Sequence, residues 1–220
     1  MDYREELDRA LAFTGADHEL PARARADVLV RLARGHLGDP TTLDALDVGC
    51  GIGLTDRQLR GRFGSLTGTD VTEKALEEAA RENPRVRYVP GERDRLPFED
   101  GEFDLVFASS VVQVVPIAER PRFVSELARV TRPGGLTAVI EHNPYNPATR
   151  LVVRRFRSEE RILMLAPRQM KRLLRGSGLG PVESGFFLLA PSRRRRVLRI
   201  ERRLRRFPLG AQYYIAARSD

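Results

Sequence analysis

Three glycines on alternate positions, Gly49, Gly51 and Gly53, stand between the apolar run Leu43–Val48 and the helix-like run Leu54–Phe63, and Asp70 closes the next apolar run. A strand that ends in closely spaced glycines and feeds a helix leaves room for a ligand against bare backbone. Amide N–H groups and the helix N-terminus then face that ligand. A carboxylate about twenty residues on, at the end of a second strand, is placed to accept both hydroxyls of an adenosine ribose. Together these residues predict a nucleoside ligand. The third glycine comes one position earlier than the dinucleotide fingerprint requires, which demotes NAD. Asp47 opens the loop, and its carboxylate suits a cationic, amino-acid-bearing ligand better than a pyrophosphate.

The elements that must hold these residues alternate between strand and helix signals, which argues for a parallel sheet. Strands are expected at Leu43–Val48, Ser65–Asp70, Val86–Val89, Phe103–Ser109 and Leu136–Glu141. Helices are expected at Leu54–Phe63, at Thr72–Asn83 with Thr72 as its cap, and at Ile117–Val130, the last ended by a turn through Gly134 and Gly135. After Pro167 a helix runs to a glycine cluster, and Val182–Ala190 and Ala211–Arg218 read as two late strands. The first forty residues read as one or two helices outside the repeating unit.

At 220 residues, 41% of them hydrophobic and 31% charged, the chain suits one folded domain. It has no apolar run long enough to span a membrane, and its first residues lack the order of a signal peptide, so a cytoplasmic location is expected. The single cysteine, Cys50, leaves no internal disulfide or cysteine-built metal site, and no metal is expected. The net charge is +8, almost all of it arginine, since only Lys74 and Lys171 are lysines. Much of it lies in Arg193–Phe207, where Val197, Ile200, Leu204 and Phe207 fall at helical spacing. That segment reads as an amphipathic helix with a basic face: either a solvated face of a docked helix, or a surface for anions or membranes. No aromatics interleave the arginines to stack bases, so nucleic acid is disfavoured.

The run Leu46–Gly53, LDVGCGIG, resembles the first motif of the class I S-adenosylmethionine-dependent methyltransferases. The resemblance extends through Gly91–Pro116, similar to the family's adenine-contacting segment and fourth strand, and through Glu126–Pro144, with the Arg-Pro-Gly-Gly turn before the fifth strand. Four ordered motifs cover about Leu43 to Pro147. The closing segments also resemble a bacterial small-molecule subgroup. The resemblance implies a Rossmann-like α/β fold with a seven-stranded, mostly parallel sheet, an antiparallel last hairpin and an N-terminal helical lid. It implies one domain over residues 1–220, with a lid at 1–42, a cofactor-binding core at 43–145, and a substrate-side insertion, hairpin and basic helix at 146–220. It implies S-adenosyl-L-methionine as cofactor. Asp47, Gly49 and Gly51 would hold its methionine end, Asp70 and the adjacent Val71 its ribose side, and Glu92 and Arg93 its adenine, while Ser109 and Ser110 would line the methyl-transfer face. Gln113 stands near where many relatives have a histidine.

Transfer from a sulfonium is an in-line displacement, and a base is needed only where the acceptor must lose a proton, as a hydroxyl does. The candidates are His142, directly after the fifth strand, and His18, if the N-terminal helices fold over the site; His36 reads as a surface residue. Asn143-Pro-Tyr145 imitates a motif of base-amino methyltransferases but follows the wrong strand, so base methylation is disfavoured. Arg150, Arg154 and Arg155 lie where the family inserts substrate-determining elements and would suit an anionic substrate. The expected activity is O-directed methyl transfer to a small molecule, a natural product or a sugar. Rivals are a non-methylating reaction on the same cofactor, such as a cyclisation, a non-catalytic partner protein with a vestigial site, and, weakest, an NAD oxidoreductase. Oligomeric state is left open.

Overall fold

The computed structural model describes residues 8–12, 17–93, 95–155, 162–190, 192 and 194–219. Its strands are β1 (Asp44–Val48), β2 (Ser65–Asp70), β3 (Arg87–Pro90), β4 (Phe103–Ser109), β5 (Thr131–His142), β6 (Leu179–Phe187) and β7 (Gln212–Ser219), in the spatial order β3-β2-β1-β4-β5-β7-β6. The first five pair in parallel, and β7 runs antiparallel between β5 and β6. This is the expected mostly parallel sheet with an antiparallel last hairpin. The central strands are apolar because both of their faces are covered: Leu105, Val106, Phe107 and Ala108 of β4 are all fully buried.

The helices are α1 (Glu19–His36), α2 (Leu54–Leu59), α3 (Glu73–Glu82), α4 (Arg120–Val130), α5 (Pro147–Arg155), α6 (Pro167–Gly176) and α7 (Arg195–Leu204). On one face of the sheet Leu29 and Leu32 of α1 pack with Leu105, Phe107, Leu136 and Ile140. On the other, Leu127 of α4 meets Val106 and Ala108, and Met170 and Leu174 of α6 meet Val139 and Ile215. Thus α1 belongs to the core along most of its length, and only its N-terminal end reaches the strand ends that matter below. No helix among the described residues is long and apolar enough to cross a membrane.

Several boundaries differ from those expected. Helix α2 stops at Leu59, because Arg60 leaves the helical region and Gly61 takes φ +67° to turn the chain into β2. Helix α4 starts at Arg120, with a proline in its first turn. Arg132–Gly135 does not form a separate turn: it is a bulge within β5, where four residues oppose the single Asp104 between the pairs Phe103–Thr131 and Leu105–Leu136. Thr72 stands at the cap position of α3 but its hydroxyl caps nothing; instead the Asp70 carboxylate accepts the Thr72 N–H at 2.9 Å.

Candidate functional site

Parallel strands place their carboxyl ends at one edge, and the strand order reverses between β1 and β4, which is where open α/β sheets bind ligands. A cavity of about 660 Å³ opens there. Its wall includes Asp47, Gly49 and Gly51 after β1, Asp70 and Val71 after β2, Glu92 and Arg93 after β3, Ser109 at the end of β4, His142 at the end of β5, and His18 just before α1. The structure therefore brings all ten expected site residues onto one cavity. Glu92, Arg93 and Val71 lie at its exposed rim, whereas Asp47 is buried.

The glycine loop is shaped by φ values open only to glycine and by close packing. Gly49 has φ +74°, and a Cβ there would lie 2.5 Å from Val111 Cγ2. Gly53 has φ +72°, and a Cβ would lie 2.5 Å from Asn83 Nδ2 and 2.7 Å from the Tyr88 hydroxyl. At Gly51 the opposite holds: nothing lies within 4 Å, so the backbone faces open space. Its N–H donates to Asp70 Oδ2 at 2.8 Å, while Asp70 Oδ1 accepts from Thr72, so both carboxylate oxygens are fixed by backbone amides. Behind this edge, Glu126 accepts the Leu96 N–H, and Arg129 donates to the carbonyls of Leu96 and Phe98, fastening the segment that carries Glu92 and Arg93.

Beneath the loop lies a buried polar chain. Asn83 donates to the Tyr88 hydroxyl at 3.0 Å, and Tyr88 donates to Asp56 Oδ2 at 2.9 Å. Asp56, in the first turn of α2, lies beside the Asp47 carboxyl, and both are buried. Burial, and then the nearness of Asp56, holds the Asp47 carboxyl well above the usual carboxylate range, and burial pushes Asp56 up to about 6. Both acids thus hold their protons more tightly than exposed carboxyls do.

Near the end of β5, burial pushes Glu141 up to about 8 even though its Oε1 accepts the Val112 N–H. His142 Nδ1 lies within 3.0 Å of the Gln113 amide, and burial, aided by the Arg25 cation, pushes the ring down to about 3. It is a neutral imidazole across the physiological range. Arg120, itself buried, donates to the carbonyls of Val115, Gln113 and Leu163 and so holds the Gln113 loop. His18 has a different setting: its Nδ1 lies 2.8 Å from Asp8 Oδ2, and its N–H donates to Asp8 Oδ1.

Four contributors were missed in the sequence. Arg25 reaches the cavity from α1, donating to Ser110 Oγ and Gln212 Oε1, each at 3.1 Å, and Ser110 itself has a strained φ of +64°. The others are Asp56, Glu141 and Asp8, whose places beside Asp47, the Val112 N–H and His18 come from packing between distant segments. Cys50 is half-buried and lines the cavity.

A model of the methyltransferase domain matches residues 46–139. The chain is 36% identical over 102 residues to an uncharacterized methyltransferase of Synechocystis, covering 46% of this chain and 48% of that protein. It is 29% identical over 136 residues to a malonyl-[acyl-carrier protein] O-methyltransferase of Serratia marcescens, covering 60% of this chain and 51% of that protein. The chain thus spans about half the length of these curated relatives. Among solved structures, an S-adenosylmethionine-dependent methyltransferase from Mesorhizobium loti aligns with a TM-score of 0.62 at 20% identity, over 88% of this chain and 99% of that one, a likeness of fold.

Proposed function

We propose that this chain, whose residues 46–139 match a methyltransferase domain, is a class I S-adenosylmethionine-dependent methyltransferase whose cavity holds S-adenosylmethionine and directs the methyl group to an oxygen of a small molecule, the hydroxyl of a natural product or a sugar. The observation that carries this reading is the Asp70 carboxylate, fixed by the Gly51 and Thr72 amides at the end of β2 beside a cradle that is open at Gly51. The cavity wall also fits such a ligand in its polar atoms. Asp47 Oδ1, Thr69 Oγ1 and Ser109 Oγ are buried there without a hydrogen-bond partner among the described residues, which is costly unless a ligand or water supplies one.

Asp70 would accept the ribose hydroxyls, with Val71 packed beside them, and Glu92 and Arg93 would meet the adenine. Gly49 and Gly51 would give the methionine half room, Asp47 would act on its ammonium through water or backbone, and Arg25 would pair with its carboxylate. When bound, S-adenosylmethionine supplies a methyl group on a sulfonium, activated for in-line displacement. The chain's own work is to orient the acceptor and take its proton. With Asp8 on Nδ1, the His18 ring turns its other nitrogen to accept a hydroxyl proton, the arrangement in which a carboxylate orients a catalytic histidine. His142, held neutral, orients the acceptor by hydrogen bonding. The O-methyltransferase named among the relatives supports oxygen as the acceptor atom.

The test is mass spectrometry of hydroxylated small molecules incubated with the protein and S-adenosylmethionine. A one-methyl mass gain that Asp70→Ala abolishes supports the reading. A bound cofactor with altered but unmethylated products would replace it with a non-methylating reaction.

A further inference from the structure

The amphipathic segment at the C-terminal end is arranged differently from its sequence pattern. Val197, Ile200, Leu204 and Phe207 were expected on one buried stripe, but in the structure only Val197 and Leu204 turn inward, and each of these is half-buried. Ile200 is 52% exposed, Phe207 57%, and Leu209, just beyond, 51%. Arg196, Ile200, Arg203 and Phe207 follow one another at helical spacing on the outer face, and Arg199, Arg202 and Arg206 flank them, all exposed. Between Arg194 and Arg206 the sequence holds a single acid, Glu201. That acid faces inward, its Oε2 accepting the Leu189 N–H at 2.9 Å, and no carboxylate among the described residues pairs with these five outer arginines.

The same face is joined to the cavity mouth. Leu188 and Leu189 line the cavity, as do Val152 and Val153 of α5. Asn146 donates to the Leu209 carbonyl, and Asn143 to that of Pro208, so the Phe207–Leu209 segment sits against the loop that bears the exposed Tyr145. Isolated exposed apolar residues are ordinary; three within a basic helix and its following turn, beside the mouth of a partly apolar cavity, are not.

We propose that the outer face of α7, with Phe207 and Leu209, docks on an anionic lipid surface, its arginines meeting the headgroups and Ile200, Phe207 and Leu209 entering the acyl boundary. Basic residues around exposed large apolar ones are what an interfacial helix presents, whereas a nucleic-acid groove would place stacking aromatics among the arginines. Docking in this way turns the cavity mouth toward the bilayer, so that a lipid-soluble acceptor can enter without crossing water. That last clause rests on the methyl-transfer reading; the docking itself does not.

The full chain is floated with vesicles of phosphatidylcholine alone and of phosphatidylcholine with phosphatidylglycerol, at low and high salt, and its binding of a fluorescent single-stranded oligonucleotide is measured separately. The proposal expects binding to the anionic vesicles only, weakening with salt. The triple variant Arg199→Glu, Arg202→Glu, Arg203→Glu should lose on the order of a hundredfold or more in partitioning, and Ile200→Ser with Phe207→Ser should lose several-fold while leaving the charge intact. Affinity for S-adenosylhomocysteine, measured by calorimetry without vesicles, reports whether each variant is folded and tests the cofactor reading separately. Equal binding to neutral vesicles, no flotation, variants that float like the wild type, or oligonucleotide binding without flotation would each overturn the proposal.

Discussion

The Asp47 carboxyl is buried beside that of Asp56, nine positions along the chain, and burial and then this neighbouring acid hold Asp47 well above the usual carboxylate range. A cationic ammonium brought near this pair favours the ionised form. Binding of S-adenosylhomocysteine near pH 7 should therefore release up to about one proton. Calorimetric titrations in buffers of differing ionisation enthalpy measure this directly. Asp56→Asn should reduce the release, because it removes one acid that raises Asp47 while burial and Asp70 still act on it.

The buried acids also set the pH dependence of stability. Glu141 is raised to about 8, so the folded state holds its proton more tightly than the unfolded chain does, and stability falls as pH rises from the ordinary carboxylate range toward 8. His142 acts with the opposite sign, adding stability as pH climbs from about 3 to its ordinary range, and is silent above that. Between pH 6.5 and 8 the acids act without it, and about 2 kcal/mol should be lost through Glu141. Thermal melts of the wild type and Glu141→Gln should show the slope in the first and a flatter profile in the second.

His18 and His142 should separate in kinetics. If His18 takes the acceptor proton, His18→Ala should lower kcat by roughly 10²- to 10⁴-fold with S-adenosylhomocysteine affinity nearly intact, and Asp8→Asn should lower kcat by a smaller factor. His142→Asn keeps a hydrogen-bonding group and should act mainly on KM for the acceptor. Steady-state rates with a methylated product in hand decide between them.

Gly53→Ala should be among the most damaging single substitutions in the loop. It puts a side chain at φ +72° into Asn83 and Tyr88, breaking the chain of bonds that ends on Asp56. A loss of about 3 kcal/mol or more in urea unfolding is expected, against a near-neutral Gly35→Ala, where a Cβ meets nothing within 4 Å.

The strand ladder, the glycine loop and Asp70 were legible in the sequence because each depends on local rules: apolar runs, glycine spacing, and a carboxylate at a strand end. What escaped depends on packing between distant segments. Arg25 reaches the site only because α1 lies along the sheet with Leu29 and Leu32 buried, which carries its N-terminal end to the ends of β4 and β7. Asp56 reads locally as a favourable charge in the first turn of a helix, and its burial against Asp47 follows from how tightly Gly53 lets α2 meet β3. The basic helix misled through its period: the spacing of Val197, Ile200, Leu204 and Phe207 described one apolar stripe, but the helix ends at Leu204, and Ile200 and Phe207 are exposed.

The central claim is that the edge formed by Gly49, Gly51 and Asp70 holds S-adenosylmethionine. Calorimetric titration of the wild type and Asp70→Ala with S-adenosylhomocysteine, with NADH as control, tests it most directly. The account predicts binding of S-adenosylhomocysteine by the wild type, none of NADH, and at least a tenfold weaker affinity in Asp70→Ala, since a fixed carboxylate bonded to two hydroxyls is lost. Equal affinities in the two proteins, or binding of NADH alone, would contradict it.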